Sequence, residues 1–261
     1  MKKITFFIMF ILLITTLGGN AFAEISSRLQ QELKKVDDLR NAYTESEDEA
    51  IENIQEALEM SEKLIWRYPK TPEVYVKAAA CSSDLGSFDS IDNINDILEK
   101  GEEYADKAIE LDPENSYAYY YKAALMGQIG LNRGILSSLS KVKPMRDALE
   151  KSLEFNPDFA PAYDVLAALY QSVPGWPISI GNKKKALENR IKCVELEPAN
   201  FTYQVSLYEL YKDMNKTEEA REMLMDFLES DIEGPNYTVS HEQIKEYARQ
   251  ELEKLEAEDS N

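Results

Sequence analysis

The side chains able to do acid–base or metal chemistry are few and badly spaced for it. The chain carries one imidazole, His241, and two thiols, Cys81 and Cys193, beside 48 Asp and Glu residues and 29 Lys and Arg. A transition-metal site or a His-based catalytic constellation needs several imidazole or thiolate ligands converging, and these residues lie far apart in the chain. There is no Gly-x-x-x-x-Gly-Lys-Ser/Thr loop, no Gly-x-Ser-x-Gly elbow and no His-Glu-x-x-His; the glycines Gly127, Gly130 and Gly134 read as a helix-ending turn. With so many acids some carboxylate pair falls at a glycosidase-like separation by chance, so pairs alone decide nothing. The expectation is a non-enzyme with no metal and no cofactor. A net charge of -19 repels phosphate backbones and anionic head groups, so no nucleic-acid partner is expected, although local basic patches can still act.

The elements that position the remaining residues are helices. Residues 1–23 stand apart: Lys2 and Lys3 precede an apolar run from Ile4 to Leu17, and Ala21-Phe22-Ala23 forms a small-x-small site, the pattern of a cleavable export signal cut after Ala23. Fourteen apolar residues fall short of the roughly 20 that cross a bilayer, so no membrane insertion is expected after cleavage. The mature chain would then be periplasmic or secreted. Beyond it, Ile25, Leu29, Leu33, Val36 and Leu39 recur at three- and four-residue intervals, as do Ile51, Ile54, Leu58, Ser61 and Ile65. Strand-like alternation is absent.

Prolines punctuate the helices at Pro69, Pro113, Pro157 and Pro198, spaced by 44, 44 and 41 residues. The segments before them align, and after three of them a small or β-branched residue and an aromatic follow: Val74-Tyr75, Ala118-Tyr119 and Ala162-Tyr163. Self-similarity at this period predicts stacked helical hairpins. Tyr163, Leu166-Ala167, Tyr170, Ala186, Cys193 and Pro198 resemble the tetratricopeptide repeat (TPR), and residues 201–230 give a further copy through Leu207, Tyr211 and Ala220. The family's unit is 34 residues; these repeats carry about ten more, at Asp84–Asn95, Ile129–Lys141 and Ser172–Ile180. Lys122 replaces the usual Leu, Tyr208 a small residue and Gly101 an Ala. The resemblance implies an all-α, right-handed solenoid over residues 24–230, with an N-terminal helix at 25–43. Residues 231–261 supply a C-terminal capping helix, opened by Ser240 with Gln243 three residues on, and an acidic tail.

A narrower resemblance rests on Gly134-Ile135-Leu136, Lys141 to Met145, Val173-Pro174-Gly175-Trp176-Pro177 and Ile180 to Ala186. These segments look like the T-component family of TRAP-type transporters, which implies an accessory subunit that docks a substrate-binding protein or holds a small apolar ligand.

The TPR resemblance places a protein or peptide partner in a concave groove lined by the first helices of successive hairpins. Projecting the repeat puts Tyr117, Tyr120, Ala124, Asp164, Ala168, Gln171, Val205 and Glu209 there; the alternative for Tyr117 and Tyr120 is packing between adjacent hairpins. Two segments run basic in this acidic chain: Arg133, Lys141, Lys143, Arg146 and Lys151, and Lys183, Lys184, Lys185, Arg190 and Lys192. Assigned to second helices, they form either one strip able to dock an anionic partner or a second copy of the chain, or a solvated face. Cys81 and Cys193, two repeats apart, are expected to be free and buried.

Overall fold

The computed structural model describes residues 26–44, 46–229 and 241–259, and within them the fold is all-α, with hairpins of packed helices. The export signal at 1–23, the Ser240 cap and the join between the repeats and the last helix lie outside the described residues. Two compact units meet at the Pro113–Glu114 bond.

The first unit holds α1 (26–40), α2 (Glu47–Arg67), α3 (Pro72–Leu85) and α4 (Ile94–Leu111). The second holds α5 (Ser116–Arg133), α6 (Ile135–Phe155), α7 (Ala160–Ser172), α8 (Lys183–Leu196), α9 (Phe201–Asp213), α10 (Thr217–Glu229) and α11 (His241–Asp259). Packing follows chain order: α2 on α3 and α3 on α4 in one unit, and each helix from α5 to α11 on its successor in the other. The helix at 25–43 expected from sequence is α1, tied to its neighbours by ion pairs from Glu32 to Arg67, Asp37 to Lys77 and Asp84 to Arg40.

The proline period has a physical origin. Proline disfavours helical backbone in the residue before it, and α2, α4, α6 and α8 each stop one residue earlier, at the caps Tyr68, Asp112, Asn156 and Glu197. Each cap N–H donates four residues back, to Leu64, Ala108, Ser152 and Cys193. Asparagines then open α5 and α9, the Asn115 and Asn200 side chains accepting from Ala118 and Tyr203 N–H. The aromatic six residues past the proline closes the turn: Tyr75 donates to the Pro69 carbonyl and Tyr163 to that of Pro157, both at 3.1 Å. Gln204 does the same to Pro198. Fully buried alanines, among them Ala78, Ala79, Ala123 and Ala167, let the helix backbones approach.

The three insertions take different forms. The first is a loop from Gly86 to Asn93, and the third a loop over 173–182. The second is no loop: α5 and α6 are lengthened to 18 and 21 residues and join through Gly134, at φ +89°. Gly127 and Gly130 therefore lie inside α5 and do not end it; a Cβ on Gly127 would sit 3.0 Å from the Met145 terminal methyl, so the glycine admits α6 at close range. Tyr208, which replaces a small residue, is fully buried because its hydroxyl reaches Glu251 on α11 at 2.8 Å. Cys81 and Cys193 are free and buried, and burial pushes their thiols up to about 12 and about 11.

Candidate functional site

The first helices of the second unit, α5, α7 and α9, carry every residue expected to line the groove. These residues recur at the repeat spacing on successive first helices, half-buried or exposed, and Tyr120 also packs against the core that α5, α6 and α7 share. Tyr117 is 48 % exposed, with its ring centroid 4.9 Å from that of Phe159. Tyr120 is half-buried, 5.1 Å from Phe159 and 4.9 Å from Tyr121, both edge-on. Phe159, in the turn between α6 and α7, thus joins the two tyrosines into an aromatic platform. Sequence reading missed it; its place two residues before Pro161 and two after Pro157, inside an aligned turn, was the available signal.

Beside the tyrosines on α7, Asp164 pairs with Arg190 of α8. Arg190 is only 7 % exposed, and its buried Nε makes no hydrogen bond within the described residues. Burial lowers the guanidinium pKa, and the nearby Cys193 and Tyr203 only partly offset it. Tyr203 on α9 stands within electrostatic reach of both Arg190 and Tyr120, and burial holds its phenol above the ordinary range. In the last turn of α7, Gln171 donates to the Asp213 carboxylate at 3.0 Å. Glu209 is exposed and accepts from Tyr247 of α11 at 3.4 Å. Ala124, Ala168 and Val205 are half-buried on the same three helices.

The basic residues do not form one strip. Arg190 belongs to the interior, since its aliphatic stem and guanidinium pack between α7 and α8. Arg133 ends α5, a first helix. On α6, Arg146 pairs with Asp147 and Glu150, and Lys151 with Glu154 at 2.7 Å. On α8, Lys192 pairs with Glu195. Lys141 is half-buried and Lys143 exposed. Lys183, Lys184 and Lys185 stay together and exposed, with Lys183 donating to the Asp213 carbonyl at 2.8 Å and Lys185 5.2 Å above the Tyr170 ring.

Among the described residues no three His, Cys, Asp or Glu side chains converge to hold a metal, and no helix is long and apolar enough to cross a membrane. His241 is the first residue of α11.

Solved structures define the class as a tetratricopeptide-type fold. TTC0263, a thermophilic TPR protein of Thermus thermophilus, shares 17% identity over 78% of this chain and 92% of its own, at a TM-score of 0.58. MamA shares 19% over 81% and 96%, at 0.51. No curated protein matches the chain. The family described as regulator of microtubule dynamics protein 1-3 matches residues 32–172, more than half of the sequence, and the chain belongs to that family.

Proposed function

We propose that this chain is a non-catalytic scaffold that binds a protein or peptide partner on the first-helix face of its second unit. The observation that carries the reading is the aromatic platform of Tyr117, Tyr120 and Phe159, half open to solvent. Tyrosine has two torsions to fix and a large area to bury, so contact there costs little entropy. The polar groups beside it supply directional bonds. Site-specific photo-cross-linking from position 117 tests this reading.

We further propose export, on the strength of residues 1–23: N-terminal sequencing of the mature protein from its native host is expected to begin at Glu24, and a start at Met1 would overturn it. An accessory role in transport, with a small apolar ligand or a docked substrate-binding protein, is the second reading; its support is the T-component-like segments around Gly134 and Val173 to Ala186.

A further inference from the structure

In a run of antiparallel hairpins every turn inside a hairpin falls at one edge and every turn between hairpins at the other. In the second unit the inside turns are at Gly134, at 173–182 and at 214–216. The helix ends flanking two of them touch directly, Lys183 at the start of α8 donating to the carbonyl of Asp213 at the end of α9.

The middle turn is built to hold an apolar tip in water. Val173 and Ile180 anchor its two arms in the core shared by α5, α6 and α7. Gly181 N–H donates to the Pro174 carbonyl at 2.9 Å and Asn182 N–H to that of Tyr170 at 2.8 Å, while Ile178 and Ser179 N–H both return to Gly175. A Cβ on Gly181 would lie 2.0 Å from the Val173 carbonyl oxygen, so this close crossing requires glycine. From this frame Trp176 projects 88 % exposed and Ile178 70 % exposed, and Leu131, at the neighbouring turn, is 79 % exposed. A loop fixed by its own backbone that leaves a tryptophan and an isoleucine in solvent has a surface to spend on something else.

Charge at the same edge is distinctive. Residues 130–138, 169–186 and 210–220 carry six basic side chains, Lys183, Lys184 and Lys185 immediately behind the tip, against three acids, Asp213, Glu218 and Glu219. The opposite edge, residues 152–163 and 193–204, carries four acids and no base. Three lysines in the first turn of α8 also oppose the helix dipole, so helix stability does not account for them. The rest of the chain's negative charge is screened beyond roughly 10 Å at 0.1 M salt, which leaves the near charges to govern contact.

We propose that this edge docks on an anionic phospholipid bilayer, with Trp176 and Ile178 at the head-group boundary and Lys183, Lys184 and Lys185 on the lipid phosphates. The tip is an exposed loop, and an exposed tryptophan backed by lysines matches the layering of an interface, apolar below and anionic above. This goes beyond partner binding on the tyrosine face.

The apolar run at 4–17 would hold the full chain on any vesicle, so the readout must be the tip itself. Trp66 and Trp176 are the two tryptophans; in a Trp66→Phe full-length chain, Trp176 alone emits. Its emission is expected to shift to the blue, with quenching by brominated lipid, on vesicles of 30% phosphatidylserine in phosphatidylcholine (about a third, enough for a strong surface potential), and to stay water-like on pure phosphatidylcholine. At about five-fold per lysine, replacing Lys183, Lys184 and Lys185 by Gln is expected to weaken this response by roughly 100-fold, and Ile178→Ser by about ten-fold. Both variants keep the reporter, and unchanged far-UV helicity shows that they fold. An emission indifferent to phosphatidylserine, an equal shift on both vesicles, or a response insensitive to the lysine changes would overturn the proposal; capture of a protein through the tip without a vesicle response would also overturn it and assign the edge to that partner.

Discussion

Arg190 shows most directly how local sequence character misleads. It sits in a run with Lys183, Lys184, Lys185 and Lys192, and counted among them it reads as a solvated charge; folded, it is buried against Asp164. The difference lies in register, because Arg190 falls four residues after Ala186 and three residues before Cys193, both fully buried, on one stripe of α8. A buried ion pair that loses one partner leaves an uncompensated charge. Asp164→Ala is therefore expected to destabilise the second unit by about 3–5 kcal/mol, whereas adding Arg190→Met should recover most of that loss. Urea unfolding of the two variants checks this; equal stability of Asp164→Ala and the wild type would show that the pair is not closed in solution.

The order of the helices was legible from the chain. Four prolines, each with an aromatic or a glutamine six residues on, mark where one hairpin ends and the next begins; at Pro69, Pro157 and Pro198 that side chain bonds back to the proline carbonyl. The insertions were less legible. Residues 129–141 lengthen two helices while 173–182 make a loop, and what separates them is the Pro174 and Pro177 pair and the Gly181 crossing in one, against a single Gly134 in the other. The last helix is held through a departure from the repeat: Tyr208, Lys212 and Lys254 all donate to Glu251, which is 6 % exposed. Burial alone would raise this carboxyl, but the bonds from Lys254, Tyr208 and Lys212 outweigh it and hold it below the usual range. A depressed folded-state pKa contributes stability that is present above the unfolded carboxylate value and lost as pH falls through the folded one. Docking of α11 is expected to weaken below about pH 4.5, and Glu251→Ala, which strands the buried Tyr208 hydroxyl, to cost about 2 kcal/mol at pH 7. Thermal melts across pH 3–7 check both. A pH profile identical in Glu251→Gln and wild type would remove Glu251 from the account.

For the whole molecule, charge and architecture divide the work. A net charge of -19 keeps copies apart and disfavours polyanions in general, so recognition has to be local, through a platform or an edge whose composition departs from the average. The aromatic platform was partly legible: the repeat singled out Tyr117 and Tyr120 on α5, but only the turn geometry brought Phe159 against them. Neither family membership nor fold names the occupant, and the occupant is what the central claim concerns. The most direct test is photo-cross-linking in cells from a chain bearing the reactive side chain at position 117, compared with one bearing it at Glu195, exposed on the second helix α8. A discrete protein adduct is predicted from 117, absent from 195 and reduced at least about ten-fold by Tyr120→Ala, in keeping with an aromatic contact worth about 1.4 kcal/mol or more. Adducts equal from the two positions, or none from 117, would contradict a partner-binding face built on the first helices.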